Sequence, residues 1–266
     1  MVSARTRGEQ LEVRGLSKSY LWQGEELPTL ERVDLTARAG EFVALIGPSG
    51  CGKSTLFHIL AGLDAPDSGE ILIDGRPLER RLGAFAFMPQ RDALLPWRRT
   101  LDNVTIGLEV AGVRRAQARA AAAPLLERFG LGGFESAWPW QLSGGMRSRA
   151  AFLRTVLLGK PAMLLDEPFG ALDGITRFEL QQWLAEVWSE VGSTVALITH
   201  DVAEAVFLAD RVYVMTPRPG TIASVIEIDL PRPRTLALAE SPQFGALEAR
   251  VREALRASSR TATITP

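Results

Sequence analysis

The 266-residue chain contains a single cysteine, Cys51, so an internal disulfide framework and a metal site built from cysteines are both excluded. One isolated thiol is typical of a protein from a reducing compartment. Charge of one sign is not in excess either, because 30 Lys and Arg residues nearly balance 31 Asp and Glu residues. A formal net charge of −1 gives no overall field that would favour nucleic acid or an anionic membrane as the main partner.

Long apolar runs are also missing. The N-terminal sequence MVSARTRGEQ lacks the apolar stretch of a signal peptide, and no later run approaches the roughly 20 apolar residues that a membrane span requires. We therefore expect the chain itself to remain in the cytoplasm. With 46% hydrophobic and 23% charged residues, the composition is still that of a globular protein with a full core.

Lysine is scarce, and one of the three lysines lies in an unusual segment. Lys53 stands within IGPSGCGKSTL, residues 46–56, which contains three glycines. The apolar run EFVALIG before it is typical of a buried parallel strand, and the apolar spacing of STLFHILAGL after it predicts a helix. The glycines therefore lie on a turn from a strand to a helix. A turn of this composition could bind a ligand or could simply connect the two elements.

The spacing within this turn favours a ligand. It matches the phosphate-binding pattern G-x-x-x-x-G-K-[ST], in which glycines let successive backbone N–H groups surround phosphate oxygens at a helix N-terminus. We expect Lys53 to contact the β- and γ-phosphates and the Ser54 hydroxyl to bind Mg²⁺. The predicted nucleotide-binding residues of this phosphate-binding turn are Gly47, Pro48, Ser49, Gly50, Cys51, Gly52, Lys53, Ser54 and Thr55.

A second group of polar residues follows another predicted strand. The run AMLLDEP, which begins at Ala162, contains Asp166 and Glu167 at the end of the strand, where parallel sheets carry their functional groups. Asp166 is suited to binding Mg²⁺, and Glu167 is suited to orienting the attacking water. An acidic turn after a strand is common by itself, but its combination with the phosphate-binding turn favours nucleotide hydrolysis.

A third segment, QLSGGMRSRAAFLRTVLLGK from Gln141, predicts a helix whose start contains Ser143, Gly144 and Gly145. Its backbone N–H groups could bind a second anion, or the segment could be an ordinary capped helix. Together with the two preceding motifs, LSGGM resembles the signature motif of the ATP-binding-cassette (ABC) ATPases, and the resemblance extends over roughly residues 11–231. It implies an α/β fold of the P-loop NTPase type, with a parallel-sheet core, an antiparallel β-subdomain and a helical subdomain.

The resemblance also implies roles for individual residues. Tyr20 in LSKSY lies where the family places an aromatic ring against adenine, and a core tyrosine at a strand end is the alternative. Gln90 in FMPQ would contact Mg²⁺ or the attacking water, and His200 in LITHD would hold the γ-phosphate. The implied catalytic residues are Glu167, His200 and Gln90, and the implied metal ligands are Ser54, Gln90 and Asp166. The implied nucleotide contacts outside the turn are Tyr20, Ser143, Gly144, Gly145 and Asp173.

In the resembling ATPases, two subunits enclose two ATP molecules, each between the phosphate-binding turn of one subunit and the signature of the other. We therefore expect a homodimer with ATP and Mg²⁺ as cofactors, in which residues 143–145 and Asp173 in GALD approach the partner's nucleotide. The methionine of LSGGM, together with LLPWRRTLDNV and DEPFGALD, resembles the branch of importers for nitrate, sulfonate, taurine and pyrimidine precursors.

That branch implies two kinds of partner and a location. The partners are transmembrane permease subunits and, indirectly, an extracytoplasmic solute-binding protein, with no nucleic acid. The implied location is peripheral, at the cytoplasmic face of the inner membrane. The alternative is a non-transport ABC ATPase that acts on DNA or ribosomes.

We expect one ABC ATPase domain over residues 1–266. Residues of about 11–90 and 160–230 are predicted to form the core and the β-subdomain, with IDGRP as a hairpin turn, and about 91–159 the helical subdomain. Pro124 predicts a break or a helix start in the helical subdomain. Residues of about 231–266 are predicted to form a C-terminal extension with an amphipathic helix from Pro242.

Two segments give more specific hypotheses. Cys51 lies at a helix N-terminus, a position that activates thiols, so alkylation or oxidation there could block ATP binding.

The segment RDALLPWRR contains Leu94, Leu95 and Trp97, and Pro96 argues against a continuous helix. These apolar side chains would form a docking surface for another protein if exposed, and would fill the core of the helical subdomain if buried. In the resembling importers this region receives a short cytoplasmic helix of the permease.

Overall fold

The computed structural model describes residues 8–170 and 174–261, which form two sheets and eight helices. The strands are β1 Leu11–Trp22, β2 Glu25–Ala37, β3 Phe42–Ile46, β4 Ser68–Ile73, β5 Arg76–Pro77, β6 Ala86–Met88, β7 Ala162–Asp166, β8 Thr194–Ile198, β9 Arg211–Met215 and β10 Ile222–Glu227. The helices are α1 Lys53–Leu60, α2 Thr100–Val110, α3 Arg115–Arg128, α4 Gly144–Val156, α5 Gly174–Val191, α6 Val202–Leu208, α7 Leu236–Ala239 and α8 Pro242–Thr261, and a 3₁₀ turn spans Pro139–Gln141.

The larger sheet has six strands in the order β10-β9-β3-β8-β7-β6, and the neighbours from β9 to β6 are parallel. Its central strands are short, apolar and fully buried, as in FVALI of β3 and TVALI of β8, because both faces of the sheet are covered. Along β3, Phe42 packs into one hydrophobic cluster and Val43 into another. Since parallel strands end at one edge, the segments that follow β3, β6, β7, β8 and β9 meet there.

The smaller sheet is antiparallel, with the strand order β2-β1-β4-β5. Asp74 and Gly75 form the turn between β4 and β5 with positive φ angles of 49° and 74°, so the hairpin predicted from IDGRP is confirmed. Apolar residues of this sheet and of α1 pack together in the hydrophobic cluster that also contains Val43 of β3. This packing brings β2 next to the phosphate-binding turn.

Helices α2, α3 and α4 lie between β6 and β7 in the chain. Asp102 on α2 is buried and accepts hydrogen bonds from Arg115 and Arg119 on α3, each at 2.7 Å for the shortest N–O pair. The prediction that Pro124 marks a break or a helix start is wrong, because it lies inside α3. Its missing N–H leaves the carbonyl of Ala120 without a helical partner, but both residues are exposed and water can hydrate that carbonyl.

The C-terminal helix α8 is amphipathic as predicted, with Phe244 and Val251 buried in the core. The chain that leads to it is fixed by Arg234, whose buried guanidinium donates to carbonyls in and just after the last turn of α6. These donors satisfy carbonyls that have no partner within the helix. Burial lowers the pKa of Arg234 to about 10. Among the described helices, none has both the length and the apolar character needed to cross a membrane.

Candidate active site

The phosphate-binding turn connects β3 to α1, as predicted. Gly52, at the start of α1, has a φ of 105°, and a Cβ there would lie 2.5 Å from Leu30 Cδ2. A Cβ at Gly47 would lie 2.9 Å from Met215 Cβ. Only glycine fits these two positions, because the backbone of the turn packs directly on β2 and β9.

Lys53 lies within this turn and is buried. Its Nζ donates hydrogen bonds to the carbonyl oxygens of Gly47 at 2.8 Å and of Pro48 at 2.9 Å. The backbone N–H groups at the start of α1 carry partial positive charge, which adds to the charge of the ammonium group. The turn is therefore an electropositive site that suits phosphate.

Three side chains from the ends of other parallel strands accompany the turn. Gln90 follows β6, Glu167 follows β7 and His200 follows β8. Gln90 Nε2 donates to Glu167 Oε2 at 2.9 Å, and His200 Nδ1 lies 3.4 Å from the same oxygen. Glu167 has a positive φ of 45°, a conformation that non-glycine residues adopt rarely and that is enriched at functional sites.

The turn and these three side chains line one cavity of about 520 Å³. The sequence-predicted site residues that line it are Gly47, Ser49, Gly50, Gly52, Lys53, Ser54, Thr55, Gln90, Glu167 and His200. Pro48 and Cys51 belong to the same turn but do not line this cavity. The structure thus brings the predicted polyphosphate contacts together with the predicted catalytic residues, and their roles stay predictions.

The thiol of Cys51 is buried beneath the turn. The residue is 1% exposed, it belongs to the hydrophobic cluster around α1, and its Sγ lies 3.7 Å from Lys53 Nζ. The hypothesis that alkylation or oxidation of Cys51 blocks ATP binding therefore gains no support from the folded structure and stays a prediction. The packing that closes the turn onto the core also covers the sulfur.

Asp166, the last residue of β7, is buried and hydrogen-bonded to the Ser54 side chain. Its Oδ1 has no hydrogen-bond partner among the described residues. Burial raises the pKa of Asp166, and the hydrogen bond with Ser54 opposes this shift. A buried carboxylate oxygen beside a hydroxyl suits a hard divalent cation such as Mg²⁺. The described residues include no cluster of three or more His, Cys, Asp or Glu that could hold a metal.

Tyr20 lines a second cavity of about 520 Å³ rather than the first. The residue is 38% exposed, so the alternative of a core tyrosine is wrong. Its hydroxyl donates to Asp64 Oδ2 at 2.5 Å, and Lys18 Nζ lies 5.2 Å from the centre of its ring. These contacts hold the ring at an open surface, where a base could stack on it.

The predicted signature residues lie at the start of α4. Ser143 caps this helix, because its Oγ accepts a hydrogen bond from the Met146 N–H at 3.2 Å, and Gly144 and Gly145 follow in the first turn. None of the three lines the cavity at the phosphate-binding turn of the same chain. This separation agrees with the prediction that they act on a second subunit's nucleotide. Asp173 lies outside the described residues.

Thr29 and Arg218 also line the first cavity, although no sequence motif contains them. Thr29 lies within β2, whose residue pattern carries no functional signal. Arg218 follows β9, a parallel strand of the larger sheet, so the rule that located Glu167 and His200 at strand ends could also have located it.

A buried carboxyl lies near the predicted catalytic residues. Glu204 Oε2 accepts a hydrogen bond from Thr199 Oγ1 at 3.0 Å, and Oε1 has no partner among the described residues. Desolvation raises the pKa of Glu204 from 4.5 to about 8. The hydrogen bond from Thr199 and the charge of Arg177 lower this pKa, whereas nearby negative charges, chiefly that of Asp201 and then that of Glu167, raise it.

We expect Glu204→Gln to stabilise the protein at alkaline pH. Because the folded state holds the Glu204 proton more tightly than the unfolded chain does, the stability that this carboxyl contributes falls as pH rises from 4.5 to about 8. Glutamine does not titrate, so the variant does not lose this stability as pH rises. Relative to the parent, its free energy of unfolding should therefore increase by about 1–3 kcal/mol between the two ends of this pH range. Denaturant unfolding at several pH values measures the difference.

The matched control is Glu253→Gln, which changes an exposed carboxyl on α8. Its free energy of unfolding should follow the parent's pH dependence. If the pH dependence of Glu204→Gln also ran parallel to that of the parent, Glu204 would titrate alike in the folded and unfolded states and the prediction would be wrong.

A phosphate-binding turn that shares a cavity with a carboxylate, an amide and an imidazole at the edge of a parallel sheet defines a P-loop nucleoside triphosphatase. The sequence model of the ABC transporter family matches residues 30–170, and the chain belongs to this family. The predictions of an ABC ATPase fold and of ATPase activity are thereby confirmed.

Relatives match most of the chain. The taurine import ATP-binding protein of Yersinia pestis bv. Antiqua is 42% identical over 219 residues, which cover 82% of this chain and 84% of the relative. An aliphatic sulfonates import ATP-binding protein of Pseudomonas savastanoi pv. phaseolicola is 44% identical over 245 residues, 92% of this chain and 85% of the relative. A solved dimeric ATP-binding cassette in a post-hydrolysis state, bound to ADP and phosphate, matches with a TM-score of 0.73 and 30% identity over 83% of this chain and 99% of that one.

Proposed function

We propose that this chain is the ATP-hydrolysing subunit of an importer, which powers uptake of a small solute through a separate membrane permease. The solute is of the nitrate, sulfonate, taurine or pyrimidine-precursor type, and an extracytoplasmic binding protein delivers it. The subunit binds peripherally at the cytoplasmic face of the membrane. The taurine and sulfonate import relatives support this assignment and do not favour a non-transport ABC ATPase that acts on DNA or ribosomes.

The observation that carries the ATP-hydrolysing part of the proposal is the position of Glu167, which contacts Gln90 and His200 in the cavity of the phosphate-binding turn. Glu167 orients the attacking water and accepts its proton, a role that contributes about 10²–10⁴-fold to a rate. His200 holds the γ-phosphate beside that water. Gln90 donates to the catalytic carboxylate and so fixes its orientation.

The phosphates are held by Lys53 and by the backbone N–H groups of the turn. Ser54, Asp166 and Gln90 would hold Mg²⁺, which when bound neutralises charge on the phosphate oxygens. The buried Oδ1 of Asp166 supports this assignment, because it has no hydrogen-bond partner among the described residues. The residues that bind the phosphates are thus separate from Glu167, the residue that activates water.

A second copy of the chain completes each nucleotide site with Ser143, Gly144 and Gly145. The dimeric cassette bound to ADP and phosphate, which resembles this chain, supports the arrangement. ATP then favours the closed dimer because it contacts both subunits there and one subunit in the open state.

Reconstitution in vesicles with the permease tests the proposal. Uptake of labelled taurine or an alkanesulfonate should require ATP on the side of the subunit, and the solute-loaded binding protein should stimulate ATP hydrolysis. ATPase activity that responds neither to the permease nor to the binding protein would contradict import, while it would leave the ATPase assignment intact.

The segment RDALLPWRR forms no helix, as Pro96 predicts, but its apolar side chains are divided between core and surface. Leu94 is 8% exposed and packs in the core, so its prediction as part of a docking surface is wrong. Leu95 is half-buried, and its N–H donates to Asn103 Oδ1 at 2.7 Å. Trp97 is 71% exposed, and we propose it as the residue of this segment that contacts the permease.

We expect Trp97→Ala to leave the subunit folded and able to bind ATP, because the side chain is mostly outside the core. Its affinity for the permease should fall by about tenfold or more, since exposed aromatic residues that anchor an interface often contribute at least 2 kcal/mol. Binding to the purified permease in detergent measures this effect. Leu82→Ala, which truncates an apolar residue 61% exposed before β6, is the matched control. Parent-like permease binding by Trp97→Ala would place the contact elsewhere.

A further inference from the structure

The segment between β9 and β10 is fixed against the phosphate-binding turn. The Gly220 N–H donates to the Thr29 carbonyl at 2.9 Å, and the Gly220 carbonyl accepts from the Glu31 N–H at 3.0 Å. A Cβ at Gly220 would lie 2.1 Å from the carbonyl oxygen of Cys51, so the two backbones are in direct contact. Arg218, two residues before Gly220, therefore projects from a segment that is tied both to β2 and to the turn.

The guanidinium of Arg218 is placed beside the phosphate-binding turn by two hydrogen bonds. Its Nε and Nη2 donate to the carbonyl oxygen of Gly50 at 3.1 and 2.9 Å. In the described part of the chain, none of the ion pairs includes Arg218, and these two bonds do not use the N–H groups of Nη1. Because no carboxylate neutralises it, the positive charge of this guanidinium can attract an anionic ligand.

Arg218 stands where the two cavities meet. Thr29, Thr55 and Arg218 line both the cavity at the phosphate-binding turn and the cavity beside Tyr20. The proposed site puts the β- and γ-phosphates at Lys53 and the base at Tyr20. The α-phosphate and the ribose connect these two ends of a nucleotide, so they must pass the junction that Arg218 lines.

We propose that Arg218 is a nucleotide-binding residue whose guanidinium contacts the α-phosphate and the ribose of ATP. The inference rests on the proposed nucleotide site and adds a residue to it. Arginine suits this position because its planar group donates charge-assisted hydrogen bonds to phosphate oxygens. ATP and ADP share the α-phosphate, and hydrolysis does not break its bonds. The contact therefore acts equally on both nucleotides, and on affinity rather than on turnover.

Arg218→Gln tests this proposal, because it removes the charge but keeps an amide that can donate to Gly50. Calorimetric titration should give about tenfold weaker affinity for both ADP and a non-hydrolysable ATP analogue. The KM for ATP should rise by a similar factor with kcat unchanged. Arg80→Gln, which removes an exposed arginine before β6, should leave both affinities unchanged. Both variants should keep the parent's midpoint of thermal unfolding, since both side chains are exposed.

Parent-like affinities of Arg218→Gln for both nucleotides would overturn the inference. A loss confined to the ATP analogue would also overturn it, because the contact would then be to the γ-phosphate. The variant Lys53→Ala distinguishes a failure of the Arg218 inference from a failure of the proposed nucleotide site. If Lys53→Ala also bound both nucleotides as the parent does, the phosphate-binding turn would not be the nucleotide site, and the proposed function would fail with the inference.

Discussion

We expect Glu167→Gln to reduce ATP turnover by at least about 100-fold while ATP binding persists. The substitution removes the carboxylate that we propose accepts the proton of the attacking water, yet it keeps an oxygen that can accept the hydrogen bond from Gln90. Lys53 and the backbone donors of the phosphate-binding turn are unchanged, so the phosphates should still bind. If ATP favours the closed dimer, as proposed, and is no longer hydrolysed, the variant should accumulate as an ATP-bound dimer.

Phosphate release measures the turnover of Glu167→Gln, and gel filtration with and without ATP measures dimer formation. Glu179→Gln, which changes an exposed carboxylate on α5, is the matched control and should hydrolyse ATP at the parent's rate. If Glu167→Gln hydrolysed ATP at that rate, the assignment of the catalytic base would be wrong. Loss of ATP binding together with turnover would instead indicate that the carboxylate of Glu167, through its contacts with Gln90 and His200, is needed to form the nucleotide site.

Much of the candidate site could be predicted because parallel strands leave a strong local signal. FVALI, AMLLD and TVALI are short apolar runs, each followed by glycine or polar residues. Since the ends of such strands meet at one edge, Glu167 and His200 could be placed with Lys53 despite the long stretch of chain that separates them. The distance of 3.4 Å between His200 Nδ1 and Glu167 Oε2 follows from the pairing of β7 with β8.

The part of the cavity wall that Thr29 and Arg218 form was harder to predict. The end of β9 places Arg218 only near the site, and its final position, like that of Thr29, depends on contacts between distant segments. Thr29 reaches the cavity since the antiparallel sheet packs on α1, and Arg218 reaches it since Gly220 bonds to β2. Neither contact leaves a periodic pattern in the sequence. The same lack of a pattern explains why burial within RDALLPWRR could not be predicted. Leu94 is in the core, whereas Trp97, three residues later, is exposed. In an irregular segment, burial is decided by the helices that pack on it.

Lys53→Ala should give a phenotype opposite to that of Glu167→Gln, with nucleotide binding lost before hydrolysis can occur. The ammonium of Lys53 is buried, so solvent weakly screens its attraction to a phosphate. A charge-assisted hydrogen bond contributes about 1.5–3 kcal/mol, and we therefore expect the affinity for ATP to fall by about one to two orders of magnitude. Calorimetric titration with a non-hydrolysable ATP analogue measures this loss.

We expect Lys53→Ala to lose nucleotide binding without unfolding. The carbonyls of Gly47 and Pro48, which accept hydrogen bonds from Lys53, border an open cavity, so water can replace the ammonium group there. Lys160→Ala, a partly exposed lysine after α4, controls for the loss of a positive charge and should bind the analogue as the parent does. An equal loss of affinity in the two variants would mean that overall charge, rather than the turn, determines binding. With ATP, Glu167→Gln should dimerise and Lys53→Ala should remain monomeric, because closure of the dimer depends on nucleotide held at the turn.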